Sequence, residues 1–305
     1  MSSISNSSIA FKAKVLTEID SFTSNSLPVF GKHIESLIKS FKKNEGIDAF
    51  ADLIRLSGAI PETIEADSTE EKRYSKFTDV LLSLALSEIG LNSAVLDSRS
   101  DSADVEAVGR FGINLVGDAK AFRMSRTAKN QKDFKVQAMH KWKNGKPYAL
   151  LVCPIYQLPA KTSQIYYQAE TNDVCIFTYS HLCVLLKLAV VTTDKSQAQK
   201  LLSEVFKNSF SLLTPSKNAY DYWKSINSIV VNFSQESRHL WNKEKLMIDP
   251  TIQVGKSEAL KFYQTERTRI LSLSRQDAIN EILALKNIDT KIQCIQNVSN
   301  NLDLE

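Results

Sequence analysis

Asp104, Asp118 and Lys120 are the residues whose types and spacing best suit chemistry. They lie in Ala103-Asp104-Val105-Glu106-Ala107-Val108 and Ile113-Asn114-Leu115-Val116-Gly117-Asp118-Ala119-Lys120-Ala121-Phe122, two segments of strand character. The aspartates are fourteen positions apart, enough for a strand, a turn and a return strand, so both can meet at one end of a hairpin. Asp118 and Lys120 are two apart and leave one face of a strand. Paired carboxylates with an ammonium alongside can hold Mg²⁺ and a phosphate oxygen together, as a metal-dependent phosphodiester hydrolase requires. The plainer account makes Asp118 and Lys120 an exposed ion pair worth ~0–1 kcal/mol and Asp104 a turn residue.

Downstream of Lys120 the charge becomes one-sided. Residues 119–146 carry nine basic side chains (Lys120, Arg123, Arg126, Lys129, Lys132, Lys135, Lys141, Lys143, Lys146) and one acid, Asp133. That stretch is formally +8 while the whole chain is +4, so the remainder is net acidic. An isolated lysine run is ordinarily a solvated helix face. Set in an acidic remainder and beside paired carboxylates, this one reads as a footprint for a phosphate backbone.

These residues need a frame. Residues 9–57 show helical periodicity through Leu37, Ile38, Phe41, Ile47, Phe50, Leu53 and Ile54, punctuated by Pro28 and Pro61. Ser68-Thr69-Glu70-Glu71 is a capping box opening a helix through Phe77, Leu81, Leu84, Ala85 and Glu88 to near Gly90. The acid-bearing strands follow, then a basic loop leading into a helix at roughly 129–143. Tyr148–Pro154 is apolar on both faces, as in a strand covered on both sides. A helix around Ser163–Ala169, a strand at Val174–Thr178 and a helix at His181–Val191 come next. From about Ser196 to Glu305 the pattern is helical only, with a second capping box at Ser274-Arg275-Gln276-Asp277. The order predicts an α/β fold, a mixed sheet flanked by helices with mainly helical N- and C-terminal arms. Its divisions are an N-terminal helical arm over 1–60, a catalytic and recognition core over 61–195, and a helical region over 196–305 packed on that core.

Composition narrows the class. At 305 residues, 43% hydrophobic and 24% charged, the chain has room for one large core or two modest domains. It has no apolar run of the ~18 residues a membrane span needs, and its polar start is unlike a signal peptide. Cys153, Cys175, Cys183 and Cys294 form no Cys-x-x-Cys pair, which points to buried thiols in a reducing cytoplasm. Nine glycines and no Gly-rich phosphate loop argue against a nucleotide cradle.

Gly117-Asp118-Ala119-Lys120 preceded by Asp104 resembles the PD-(D/E)xK nuclease signature, a pattern chance produces often. The longer string from Asp118 to Lys135 (Asp-Ala-Lys-Ala-Phe-Arg-Met-Ser-Arg-Thr-Ala-Lys-Asn-Gln-Lys-Asp-Phe-Lys) is far more specific. With Ser68-Thr69-Glu70-Glu71-Lys72, Ser163-Gln164-Ile165 and His181-Leu182, it closely resembles type II restriction endonucleases that cut the palindrome AAGCTT. The likeness covers roughly residues 53–190 well, the last thirty weakly and the first fifty hardly at all. Alanine precedes Asp104 where proline is usual, a position that is loose across the superfamily.

The resemblance implies a Mg²⁺-dependent hydrolase of double-stranded DNA built on a PD-(D/E)xK core. Asp104, Asp118 and the carbonyl of Ala119 would be the metal ligands, and Lys120 would lie against the scissile phosphate. Water would attack to leave a 5′-phosphate and a 3′-hydroxyl. Glu71 could assist a second metal but is already explained by its cap, Asp97 could be an outer-shell residue but reads more simply as a solvated loop acid, and Glu106 is a substitute ligand should the strand register differ. Asn130, Lys132 and Asp133 match the major-groove code for adenine, guanine and cytosine, although Asn130 and Asp133 also suit a helix start. Arg123, Arg126, Lys129 and Lys135 are assigned to phosphates, where they position without specifying. A palindrome read by one chain type implies a homodimer, and a host carrying the site implies a cognate DNA methyltransferase.

Two other readings compete. A repair or junction-resolving nuclease would keep the site but leave Asn130, Lys132 and Asp133 without purpose, and a non-catalytic DNA-binding protein would have no use for both aspartates and the lysine.

Overall fold

Side-chain caps set several of the helix starts. The computed structural model describes residues 3–24, 26–96, 102–126, 131–209 and 218–296. Helix α1 (Asn6–Ser21) opens with the Ser5 hydroxyl accepting from the Ser8 amide. Helix α2 (Leu27–Ser57) has Pro28 in its first turn and is interrupted at Gly46, whose φ of 85° suits glycine and no helix. After the two-residue strand β1 (Ala59–Ile60), α3 (Thr69–Glu88) begins where its capping box predicts. The Ser68 hydroxyl accepts from the Glu71 amide, and the Glu71 carboxylate accepts from the Asp67 amide.

Five strands form the central sheet: β2 (Asn92–Val95), β3 (Val105–Val108), β4 (Asn114–Ala119), β6 (Tyr148–Cys153) and β7 (Val174–Thr178), in that order across it. β2, β3 and β4 are antiparallel neighbours, while β4, β6 and β7 run parallel. The mixed sheet is the expected one, with β2 an edge strand that periodicity did not reveal. β6 and β7 are almost wholly buried, in keeping with their two-sided apolar sequences. Between β4 and β6, strand β5 (Phe122–Arg123) pairs in parallel with β1, so the basic stretch starts by binding the segment ahead of α3.

The helix expected over 129–143 is two short pieces among the described residues, α4 (Gln131–Phe134) and α5 (Val136–Trp142). Lys135 between them is left-handed, at φ 48°. Phe134 and Val136 are both buried, yet two positions along one continuous helix they would face about 200° apart. The break reconciles them. Helices α6 (Ile165–Thr171), α7 (Tyr179–Val191), α8 (Lys195–Ser209), α9 (Ala219–Phe233) and α10 (Gln235–Ser272) follow, then α11 (Arg275–Leu285) and α12 (Ile288–Gln296).

Two compact units result, residues 1–258 and 259–305. The first holds the sheet and its core. In the second, Ser274 caps α11 by accepting from the Asp277 amide, and Arg269 bridges Glu266 and Glu281. Cys153, Cys175 and Cys183 are buried free thiols, while the Cys294 side chain lies outside the described residues. Among the described residues no helix is long and apolar enough to cross a membrane.

Candidate active site

The hairpin of β3 and β4 brings the two aspartates together. Val105 faces Gly117 across the antiparallel ladder, so one step further on Asp104 faces Asp118. Asp118 and Lys120, on one face as their spacing requires, form an ion pair. The backbone of Lys120 is held from two sides. Its amide donates to the Val152 carbonyl at 2.7 Å, and its carbonyl accepts from the Tyr179 hydroxyl at 3.0 Å.

A third acid joins them, one the sequence did not announce. Asp79 of α3 places a carboxylate oxygen within 4.8 Å of those of Asp104 and Asp118. Leu82, one turn further along α3, lies 3.2 Å from where a side chain on Gly117 would begin, so glycine there lets helix and strand approach closely. A signal for Asp79 did exist. From Phe77 to Leu86 the helix is apolar on nearly all sides, and an acid inside such a helix must be buried.

The cluster is short of positive charge. Burial, then the Asp118 carboxylate, push the Asp104 carboxyl up to about 6, against the pull of Lys120, Lys76 and Lys135. Burial followed by Asp104 and Asp118 holds Asp79 well above the ordinary carboxylate range. For Lys120, burial opposes the charge, but Asp118, Asp104 and Asp79 outweigh it and raise its pKa. Lys120 therefore stays an ammonium at neutral pH.

Three carboxylates converging on one lysine fit a divalent cation. The donors are hard oxygens, the set Mg²⁺ prefers, and a second positive group would relieve the repulsion that burial and proximity create. The Ala119 carbonyl is close by. Thr78 approaches it at 3.5 Å while giving its proton to Ser75 at 2.7 Å, which leaves that oxygen available as a further donor atom.

The other acids are placed elsewhere. Glu71 accepts from Asp67 and pairs with Arg123. Glu106 pairs with Lys146 at 2.8 Å, and Asp97 lies outside the described residues. Beyond Ala121 a cleft of about 600 Å³ is lined by Glu71, Arg123, Ser125, Arg126, Asp133 and Lys135, among others. Arg126 pairs with Asp133 and rests on the Phe122 ring; Lys135 is exposed. Lys129 and Asn130 fall outside the described residues, as does the side chain of Lys132. Tyr166 is core, while Tyr167 is 44% exposed. A larger cavity, about 840 Å³ between Tyr156, Tyr166, Trp223 and their neighbours, includes none of the acids or Lys120.

Comparison with known proteins now decides the family. The family model for the HindIII restriction endonuclease matches residues 13–299. The chain belongs to the HindIII restriction endonuclease family. The type II restriction enzyme HindIII of Haemophilus influenzae (strain ATCC 51907 / DSM 11121 / KW20 / Rd) is 32% identical over 286 residues, covering 92% of this chain and 93% of that enzyme. As a member of this family the chain is a type II restriction endonuclease, a hydrolase of DNA. The resemblance seen at residues 53–190 thus extends across nearly the whole chain, including the ends where it was faint.

Proposed function

We propose that this restriction endonuclease is Mg²⁺-dependent and cuts double-stranded DNA at the palindrome AAGCTT. The observation that carries the metal is the meeting of Asp79, Asp104 and Asp118 beside a charged Lys120. Asp104 and Asp118 would hold the ion with the Ala119 carbonyl, and Asp79 would add a carboxylate to the same cluster. When bound, Mg²⁺ supplies positive charge against the phosphate and acidifies water. Lys120, kept protonated by its acidic neighbours, donates to the attacked phosphate and steadies the charge that grows on its oxygens. While charged it is a donor and no general base. Water adds to phosphorus, the bond to the 3′-oxygen breaks, and the products are a 5′-phosphate and a 3′-hydroxyl.

Recognition falls to the stretch after Arg123. Asn130, Lys132 and Asp133 read bases, and Arg126, Lys129 and Lys135 contact phosphates. The support is the cleft lined by Ala121, next in sequence to Lys120, and in part by Ser125, Arg126, Asp133 and Lys135 of this stretch. A palindromic site calls for a homodimer with one half-site per subunit. A cognate methyltransferase would protect the host, and the enzyme would act in the cytoplasm.

Digestion of a plasmid of known sequence, with Mg²⁺ and with EDTA, tests this reading. Fragments ending at AAGCTT in Mg²⁺ alone are expected. A Mg²⁺-dependent smear would contradict the specificity, and equal cutting in EDTA would contradict the metal.

A further inference from the structure

We propose that Arg123 is a positioning residue that holds the DNA-reading stretch in place through Glu71, and that it makes no phosphate contact. The assignment rests on the reading of this chain as a sequence-specific endonuclease. All three guanidinium nitrogens are engaged within the protein. Nη1 donates to Glu71 Oε1 at 2.6 Å, Nη2 to the Ile64 carbonyl at 2.6 Å, and Nε to the same carbonyl at 3.2 Å. Glu71 is itself fixed, because its other oxygen accepts from the Asp67 amide at 2.7 Å. The Arg123 side chain is 20% exposed, against 40% for Arg126.

The surrounding bonds show what this fork secures. The Arg123 carbonyl accepts from Gln157 Nε2 at 2.8 Å, and the residue itself lies in the β1–β5 pairing. Two positions on, the Ser125 amide and hydroxyl both donate to the Glu62 carboxylate, at 2.9 and 2.7 Å. The segment 59–71 therefore grips the chain between Lys120 upstream and the base-reading residues downstream. A planar fork held at two acceptors fixes direction as well as place, which a lysine ammonium cannot do.

Binding by full-length protein to an AAGCTT duplex and to a scrambled duplex, in EDTA and across about 50 to 200 mM KCl, tests the assignment. Arg123→Gln should lower the preference for AAGCTT by tenfold or more and leave the salt slope on scrambled DNA unchanged. A slope reduced by about one, with both duplexes weakened alike, would overturn it. Glu71→Gln decides independently should Arg123→Gln fail to fold. Positioning predicts weaker AAGCTT binding, whereas an arginine released onto phosphate would tighten binding to both duplexes and overturn the assignment. The double variant should match the worse single variant within about twofold, since the two act as a unit; independent, multiplying losses would contradict the assignment. Wild-type protein binding both duplexes alike would overturn the sequence-specific reading, and this assignment with it.

Discussion

Two buried charge clusters in the first unit are built to opposite ends. Arg55 of α2 forks onto Glu244 of α10, with Nε and Nη2 each 2.6 Å from a carboxylate oxygen, and its Nη1 reaches Asp52 at 2.6 Å. The remaining Asp52 oxygen accepts from the Ser5 amide at 2.9 Å. Every carboxylate oxygen there has a donor. The Asp79, Asp104 and Asp118 cluster is the reverse: Lys120 pairs with Asp118 and feels the charge of the other two acids, and among the described residues no hydrogen-bond donor reaches the carboxylate of Asp79 or Asp104. The first cluster joins helices distant in sequence. The second keeps its oxygens available, and two of its acids respond with raised pKa values. Satisfied buried charge is architecture, and unsatisfied buried charge marks a place awaiting a ligand.

The strongest way to break this contrast is to remove one charge from each cluster. Asp118→Asn should lower cleavage of AAGCTT-containing plasmid by about 10³-fold or more, with binding to an AAGCTT duplex retained. Wild-type cutting by that variant would refute the site. Arg55→Ala should cost about 3–5 kcal/mol in urea unfolding, because two buried carboxylates lose their partner; a loss below ~1 kcal/mol would show that cluster to be dispensable.

A smaller effect sharpens the difference. The Asp104 carboxyl sits near 6 in the fold and lower when unfolded, so the native state holds the proton more tightly. Metal-free stability should therefore fall as pH rises from about 4 to 6, by up to about 3 kcal/mol across that range. Asp104→Asn should reduce that dependence, leaving the part that Asp79, also held above the ordinary carboxylate range, contributes. Unfolding midpoints measured across this range in EDTA would show it, and an unchanged slope in the variant would count against the repulsion.

The strand-borne part of the site was legible because its spacing and its geometry share a period of two, so Asp118 and Lys120 had to emerge together. For Asp79 only its burial was legible, in the apolar run of α3; its meeting with Asp104 and Asp118 was not, since they lie on other elements and only tertiary packing of α3 on the sheet makes them neighbours. The same holds for Arg123: nothing within a run of cations says which one folds back, and Glu71 is 52 positions away. The sheet could be read from the two-sided apolar runs of β6 and β7. The edge strand β2 could not, because its burial alternates weakly. The break at Lys135 was hidden for a similar reason, as local helical pattern does not record that Phe134 and Val136 must both reach the core.

The most direct test of the central claim is the thermal unfolding midpoint of wild type and Asp118→Asn, each with EDTA and with saturating Mg²⁺. A ligand that binds the native state raises its stability. The account predicts that Mg²⁺ raises the wild-type midpoint and leaves Asp118→Asn unmoved, while in EDTA the variant is at least as stable as wild type. An equal rise in both proteins would place the metal elsewhere and contradict the assignment of the acid cluster.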